Sequence, residues 1–199
     1  MRLTRWLGTC CVIVLLVASV PPAGAQSGFQ PVSDPKGLFS ISLPSDWQLA
    51  SHEMSDAVFQ RLRGSALAGN VISTLAAHNL GDIHSLAILA VVAMDLPQRV
   101  SPAEFGEMAR TEFPPNWAMT QDGRATIAGR DAYYVYFVMN ERETGLYMVM
   151  SYFPVGRTGF LVVGGTINDP AAIQRNFATI SRILETFRPS PTLSGSTAR

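Results

Sequence analysis

The sequence predicts an α+β fold: a central antiparallel sheet covered by amphipathic helices, in an α/β/α sandwich. Three observations predict it. Tyr133–Met139, Leu146–Met150 and Phe160–Val163 are apolar at consecutive positions, so both faces of these strands need cover. Short turns join them, which makes the pairing antiparallel. Two helices, each with one apolar stripe, are available as that cover. An outer-membrane barrel of eight strands would instead alternate apolar and polar residues along each strand and has no place for two capped amphipathic helices.

Phe39-Ser-Ile-Ser-Leu alternates apolar and polar and reads as a half-buried strand ending at Pro44. Short strands are expected at Trp47–Ala50 and Ala57–Leu62, and longer ones at Val71–His78 and Leu86–Met94. The last is nine consecutive apolar residues, too short to cross a membrane as a helix and suited to a strand buried on both faces. Ser101-Pro102-Ala103-Glu104 opens a helix: Ser101 caps, Pro102 takes the first helical position and Glu104 completes a capping box. Phe105, Met108, Ala109 and Phe113 recur at helical spacing before Pro114-Pro115 stops it.

Asp122-Gly123 is a two-residue turn signal between Met119 and Ile127. Ala132–Met139 follows as an aromatic-rich strand, Asn140–Gly145 as a charged turn and Leu146–Phe153 as the return. Gly156–Gly159 turns the chain again into Phe160–Ile167. Asp169-Pro170 caps a final helix whose apolar stripe is Ile173, Phe177, Ile180, Ile183, Leu184 and Phe187, ended by Pro189.

At the N-terminus, Arg2 and Arg5 precede an apolar run, Leu7–Val20, and Pro21-Pro22-Ala23-Gly24-Ala25 closes it. Basic region, apolar region and Ala-x-Ala site together read as a secretory signal over 1–25, cleaved after Ala25, which places the protein in the periplasm or outside the cell. Residues 26–36 form a polar lead-in, 37–189 a single domain and 190–199 a disordered tail. No membrane span is expected after cleavage.

Cleavage removes both cysteines, Cys10 and Cys11, so the mature chain has no disulfide, thiolate nucleophile or Cys metal ligand. It also removes Arg2 and Arg5 from a total of 15 basic and 15 acidic residues, which leaves a net charge of −2. Lys36 is the only lysine, and no basic patch fits nucleic acid.

Four stretches carry a family resemblance: Gly37-Leu-Phe-Ser-Ile-Ser-Leu-Pro-Ser-Asp-Trp47, Ile127-Ala-Gly-Arg-Asp-Ala-Tyr-Tyr-Val-Tyr-Phe137, the aromatic hairpin Gly145–Ile167, and the helix end Ile183-Leu-Glu-Thr-Phe187. Together they resemble the PsbP-like family, named for an extrinsic protein of the photosynthetic oxygen-evolving complex. The similar region runs from about Phe39 to Phe187. The resemblance implies an antiparallel sheet between helices and a non-enzymatic accessory role. It carries over no catalytic residue, and a fold of this kind does not fix a function.

The sequence contains no Gly-x-Ser-x-Gly, Ser-x-x-Lys, phosphate loop, dinucleotide fingerprint or His-Glu-x-x-His. The chain is therefore read as a non-enzyme with no cofactor. His78, Asp82 and His84 are the candidate metal ligands, because imidazole and carboxylate suit zinc; the plainer reading is a solvated turn between two strands. His52-Glu53-Met54-Ser55-Asp56 is a second polar cluster, short of the six or more oxygens calcium takes.

Trp117 reads as closing the core beneath the first helix, or as an interface anchor. The function expected is an exported protein-interaction module with an envelope or extracellular protein as partner. The alternative is a small-molecule or lipid-binding domain whose pocket would be lined by Tyr134, Tyr136, Met139, Met148 and Met150, although methionines also fill ordinary cores.

Overall fold

A computed structural model of the protein describes residues 28–51, 70–81, 86–96, 98–112, 117–141 and 144–194. Strands β1 (Phe29–Ser33), β2 (Phe39–Pro44), β3 (Gln48–Leu49), β4 (Asn70–Asn79) and β5 (Ala87–Asp95) come first. Helix α1 (Pro102–Glu112) precedes the meander β6 (Trp117–Ile127), β7 (Arg130–Glu141), β8 (Thr144–Val155) and β9 (Thr158–Ile167). Helix α2 (Pro170–Glu185), β10 (Arg188–Pro189) and the short α3 (Pro191–Ser194) close the described chain.

The main sheet has the order β3-β4-β5-β9-β8-β7-β6, antiparallel throughout, so the meander folds back to set β9 beside β5. Its central strands are buried on both faces, as their apolar runs require.

On one face, Val135, Phe137, Met139, Met148, Met150 and Leu161 form a cluster with Phe105 of α1. The Phe105 ring stacks on Tyr152 at 4.3 Å, and the Tyr152 hydroxyl donates to the Val100 carbonyl at 3.1 Å. Gly106 lets α1 approach: a Cβ there would fall inside the Tyr133 ring. The capping box forms, with Ser101 N–H donating to Glu104 at 2.7 Å and Glu104 N–H to Ser101 Oγ at 3.2 Å.

On the other face, Phe153 and Phe160 pack against each other and against Phe187, which follows α2, and Phe39 of β2 packs against Phe160 and Phe187, with ring centroids 5.0–5.7 Å apart. Ile180 and Ile183 of α2 join the same cluster. Asp169 caps α2 by accepting from Ala172 N–H at 2.9 Å. Asn176, only 6% exposed, pins the helix to the sheet by donating from Nδ2 to the Leu86 carbonyl at 3.0 Å and to Thr166 Oγ1 at 2.7 Å.

The α+β character, dominated by antiparallel sheet, agrees with the sequence reading. The cover differs in make-up. Helix α1 covers one face, but α2 shares the other with a second sheet, β1-β2-β10, built by the strand read at Phe39 and by the lead-in and helix exit. Residues 29–33 of the expected lead-in pair along β2, because Asp34 organises the turn between them. The Asp34 carboxylate accepts from Lys36 N–H at 3.1 Å and Leu38 N–H at 3.0 Å, and from Ser73 Oγ on β4. At the other end, Ser190 N–H donates to the Leu38 carbonyl at 2.7 Å and Leu193 packs on the core. Residues 190–194 of the expected disordered tail are thus held by the domain, and 195–199 lie outside the described residues.

The Asp122-Gly123 turn is a correction. Strand β6 runs straight through it, and the turn lies at Ala128-Gly129, both at positive φ (49° and 76°) as a type I′ hairpin needs. The reason is cross-strand. Gly123 faces Tyr134, whose hydroxyl would stand 3.0 Å from a Cβ, and the Asp122 carboxylate accepts from the Tyr133 hydroxyl. The turn after β8 is tighter than expected, two residues at Gly156-Arg157, and Thr158 and Gly159 already belong to β9. The strand expected at Trp47–Ala50 narrows to Gln48–Leu49, and that at Ala57–Leu62 lies outside the described residues.

Two substitutions test this packing. Asn176→Ala removes the donor to both the Leu86 carbonyl and the Thr166 hydroxyl and should cost about 1–3 kcal/mol, lowering the thermal midpoint by about 2–10 °C; an unchanged midpoint would contradict the pinning role. Gly106→Ala improves helix propensity by about 1 kcal/mol yet overpacks Tyr133. Urea unfolding should show a net loss of stability, and a gain would mean that α1 does not sit against that ring.

Candidate functional site

His78 lies in β4 between Gln48 of β3 and Ile88 of β5, and its buried Nδ1 has no hydrogen-bond partner among the described residues. Asp82, His84 and the His52–Asp56 cluster lie outside the described residues. Among the described residues no three His, Cys, Asp or Glu side chains gather in a way that could hold a metal.

The pocket expected from Tyr134, Tyr136, Met139, Met148 and Met150 does not assemble. Side chains alternate across a strand. Met139, Met148 and Met150 are buried in the cluster beneath α1, whereas Tyr134 and Tyr136 stand on the opposite face beside α2. The methionines are core. Trp117 is partly buried, stacks on Phe137 at 4.7 Å and packs against that same cluster, which fits the core-closing reading.

Two surfaces remain. The first is aromatic. Helix α2 packs on β9 and β2, so β7 and β6, two and three strands further along, lie beyond it on that face. There Phe177 of α2 meets Tyr136 at 5.6 Å and Tyr147 at 5.6 Å, and Tyr136 meets Tyr134 at 5.4 Å. All four rings are half-buried. Gln121, exposed on the edge strand β6, donates from Nε2 to the Tyr134 hydroxyl at 3.0 Å. Burial, with Tyr147 and Tyr134 adjacent, pushes the Tyr136 phenol up to about 12. The surface is therefore aromatic with the Gln121 amide at its edge, a composition suited to protein contact.

The second is a cleft of about 220 Å³ at the corner where β2 leads into β3. Phe29, Pro44, Asp46 and Trp47 form its strand wall; Arg175, Asn176, Thr179 and Arg182 of α2 form its helix wall. Asn79 Nδ2 donates to the Asp46 carboxylate at 2.8 Å. The Arg182 guanidinium carbon stands 5.1 Å from the Phe29 ring centroid. Sequence reasoning missed this cleft. Its helix wall was legible as Arg175, Thr179 and Arg182 at i, i+4 and i+7, one face of α2, but only the apolar stripe of that helix was used.

No family model matches the sequence, and no curated protein matches it. Solved structures do match in fold. Cyanobacterial PsbP (CyanoP) from Synechocystis sp. PCC 6803 superposes with a TM-score of 0.55 at 11% identity, over 88% of this chain and 99% of that one. The Ran-binding protein Mog1p of Saccharomyces cerevisiae gives 0.54 at 8% identity, over 83% and 97%. LpqN of Mycobacterium tuberculosis, involved in cell envelope biogenesis, gives 0.52 at 12% identity, over 84% and 87%. A longer chain from Bacteroides thetaiotaomicron matches with a TM-score of 0.53 at 11% identity, and this protein spans 49% of its length. The resemblance read from the strand and hairpin stretches thus holds at the level of fold: the chain is built like PsbP and its structural neighbours.

Proposed function

We propose that the protein is an exported, non-enzymatic accessory module that docks a protein of the cell envelope or extracellular space. The observation that carries this reading is the aromatic face of Tyr134, Tyr136, Tyr147 and Phe177 beside the edge strand β6. Tyrosines offer large, stiff contact area with a polar tip, and such residues dominate interface energetics. The three-layer arrangement, α1 on one side of the main sheet and α2 with the small sheet on the other, serves as the rigid platform.

Structural neighbours support an accessory or binding role: Mog1p is a Ran-binding protein and LpqN is involved in cell envelope biogenesis. The signal-like segment over 1–25 supplies the export route. Among the described residues no helix is long and apolar enough to cross a membrane.

Photo-crosslinking in the native cell tests the reading. A benzophenone amino acid at Gln121, on the aromatic face, should yield a discrete adduct with one envelope protein. The same probe at Lys36, exposed at the β1–β2 turn, should yield none. Tyr147→Ala should weaken that partner's binding by roughly tenfold or more. Adducts of equal yield from both positions, or from neither, would contradict the proposal.

Tyr136 should also stay uncharged at any physiological pH. Because the folded Tyr136 pKa of about 12 exceeds the unfolded value of about 10, its contribution to stability is complete below pH ~10 and is lost as pH rises towards 12. Denaturation midpoints followed over that range should fall less for Tyr136→Phe than for the wild type. Parallel curves would show that Tyr136 is not desolvated.

A further inference from the structure

We propose that the outer edge of β6 takes up an extended segment of the docking partner as an added strand, with a bulky apolar residue opposite Gly123 and an acidic residue opposite Arg124. This rests on the docking reading of the aromatic face and states how the partner is held there.

The two edges of the main sheet differ. One ends on β3, which is 2 residues long; the other ends on β6, which is 11 residues long. A very short edge strand is one of the usual guards against strand addition, as are proline, lysine and bulges. Strand β6 has no proline or lysine. Its bulge lies near one end, between Met119 and Gln121, where the Thr120 hydroxyl donates to the Tyr136 carbonyl at 3.2 Å. From Gln121 to Ile127 the pairing with β7 runs without a shift.

The register fixes which backbone groups face outward. Ile127 and Arg130 flank the two-residue turn, so they exchange both ladder bonds. The pattern alternates, and Ala125 and Gly123 also bond to β7. Arg124 and Thr126 therefore aim N–H and C=O away from the sheet, and both residues are exposed. Among the described residues no strand pairs with that side. Donors and acceptors alternating along an extended chain are matched by another extended backbone.

Side chains then set the chemistry of the segment. On the aromatic face this stretch of edge carries small residues, Gly123 and Ala125. The Tyr134 ring leans over Gly123: a Cβ there would stand 3.0 Å from its hydroxyl oxygen and 3.2 Å from Cζ. A bulky apolar side chain opposite Gly123 would extend the aromatic cluster onto the new strand, the cross-strand packing that compensates for a glycine in a sheet. Alternation puts the next residue of the segment on the other face, opposite Arg124. Arg124 is exposed there, while Asp122 is half-buried and accepts from the Tyr133 hydroxyl. An acidic residue in the segment pairs with the Arg124 guanidinium across the strands.

Proline substitution, read with the benzophenone probe at Gln121 in the native cell, tests the proposal. Arg124→Pro and Thr126→Pro remove N–H groups that β7 does not use and place a ring where the added strand would bond. Each should lower the yield of the partner adduct by roughly tenfold or more. Arg124→Ala should lower it roughly two- to fivefold, and Thr126→Ala should leave it unchanged. Amide exchange in the purified, crosslinked complex gives a readout that does not depend on how well the proline variants fold. The Arg124 and Thr126 amides should exchange roughly tenfold or more slowly there than in the protein alone. An adduct that persists undiminished in both proline variants would overturn strand addition and leave the docking reading standing. So would Arg124 and Thr126 amides that exchange as fast in the complex as in the protein alone. No adduct from Gln121 in the otherwise wild-type chain would end both readings. An adduct with a second copy of this chain would overturn the assignment of the added strand to a partner.

Discussion

The need to cover a sheet on both faces governs this structure. Phe160 and Val162 are fully buried on β9, and so are their neighbours Leu161 and Val163 on the opposite face. Apolar surface removed from water contributes roughly 25 cal/mol per Å², and neither face of the central strand β9 can stay wet. Helix α1 serves one face, with Phe105 stacked on Tyr152 and Gly106 drawn against Tyr133. The other face needs more area than α2 alone supplies. The small sheet β1-β2-β10 completes it, and Phe39 and Phe187 close the aromatic cluster at the seam.

Function follows from where this cover stops. Helix α2 is fixed over β9 by Asn176, so its reach towards β6 is set, and the tyrosines of β7 and β8 emerge beyond Phe177. On its other side the same helix faces the β2–β3 corner and makes the arginine-lined cleft. One buried amide thus sets the boundaries of both surfaces. The chain's polar chemistry is otherwise spent on architecture: Asp34 holds the β1–β2 turn, Asp169 caps α2, and Ser101 with Glu104 caps α1.

How much of this was legible in the sequence depended on range. Local signals were sound. The Ser101–Glu104 box and the Asp169-Pro170 cap mark real helix starts, and the apolar run Phe160–Val163 marks a strand buried on both faces, whereas Tyr134, Tyr136 and Val138 leave one side of the Tyr133–Met139 run half-buried. Signals that depend on a partner strand were not. Asp122-Gly123 has the composition of a turn, but Tyr133 and Tyr134 across the ladder give both residues a place in β6, and an Ala-Gly pair turns the chain instead. The lead-in read only as a polar segment because just Phe29 and Val32 of β1 pack on the core, while Asp34 finds its partner Ser73 far along the chain. The grouping of Tyr134 and Tyr136 with Met148 and Met150 ignored that alternation sends them to opposite sides of the sheet. The cleft was invisible because its two walls are about 130 residues apart in sequence and nothing local joins them.

The two sides of β7 and β8 differ: one is sealed beneath α1 and the other is open beyond α2. Hydroxyl-radical footprinting of the free protein, read by peptide mass spectrometry, tests this difference most directly by comparing like side chains. Tyr134 and Tyr147 should oxidise while Tyr133 and Tyr152 are protected, and Met119, 43% exposed, should oxidise well before Met148 and Met150. Equal labelling of the two tyrosine sets, or rapid oxidation of Met148 and Met150, would contradict it.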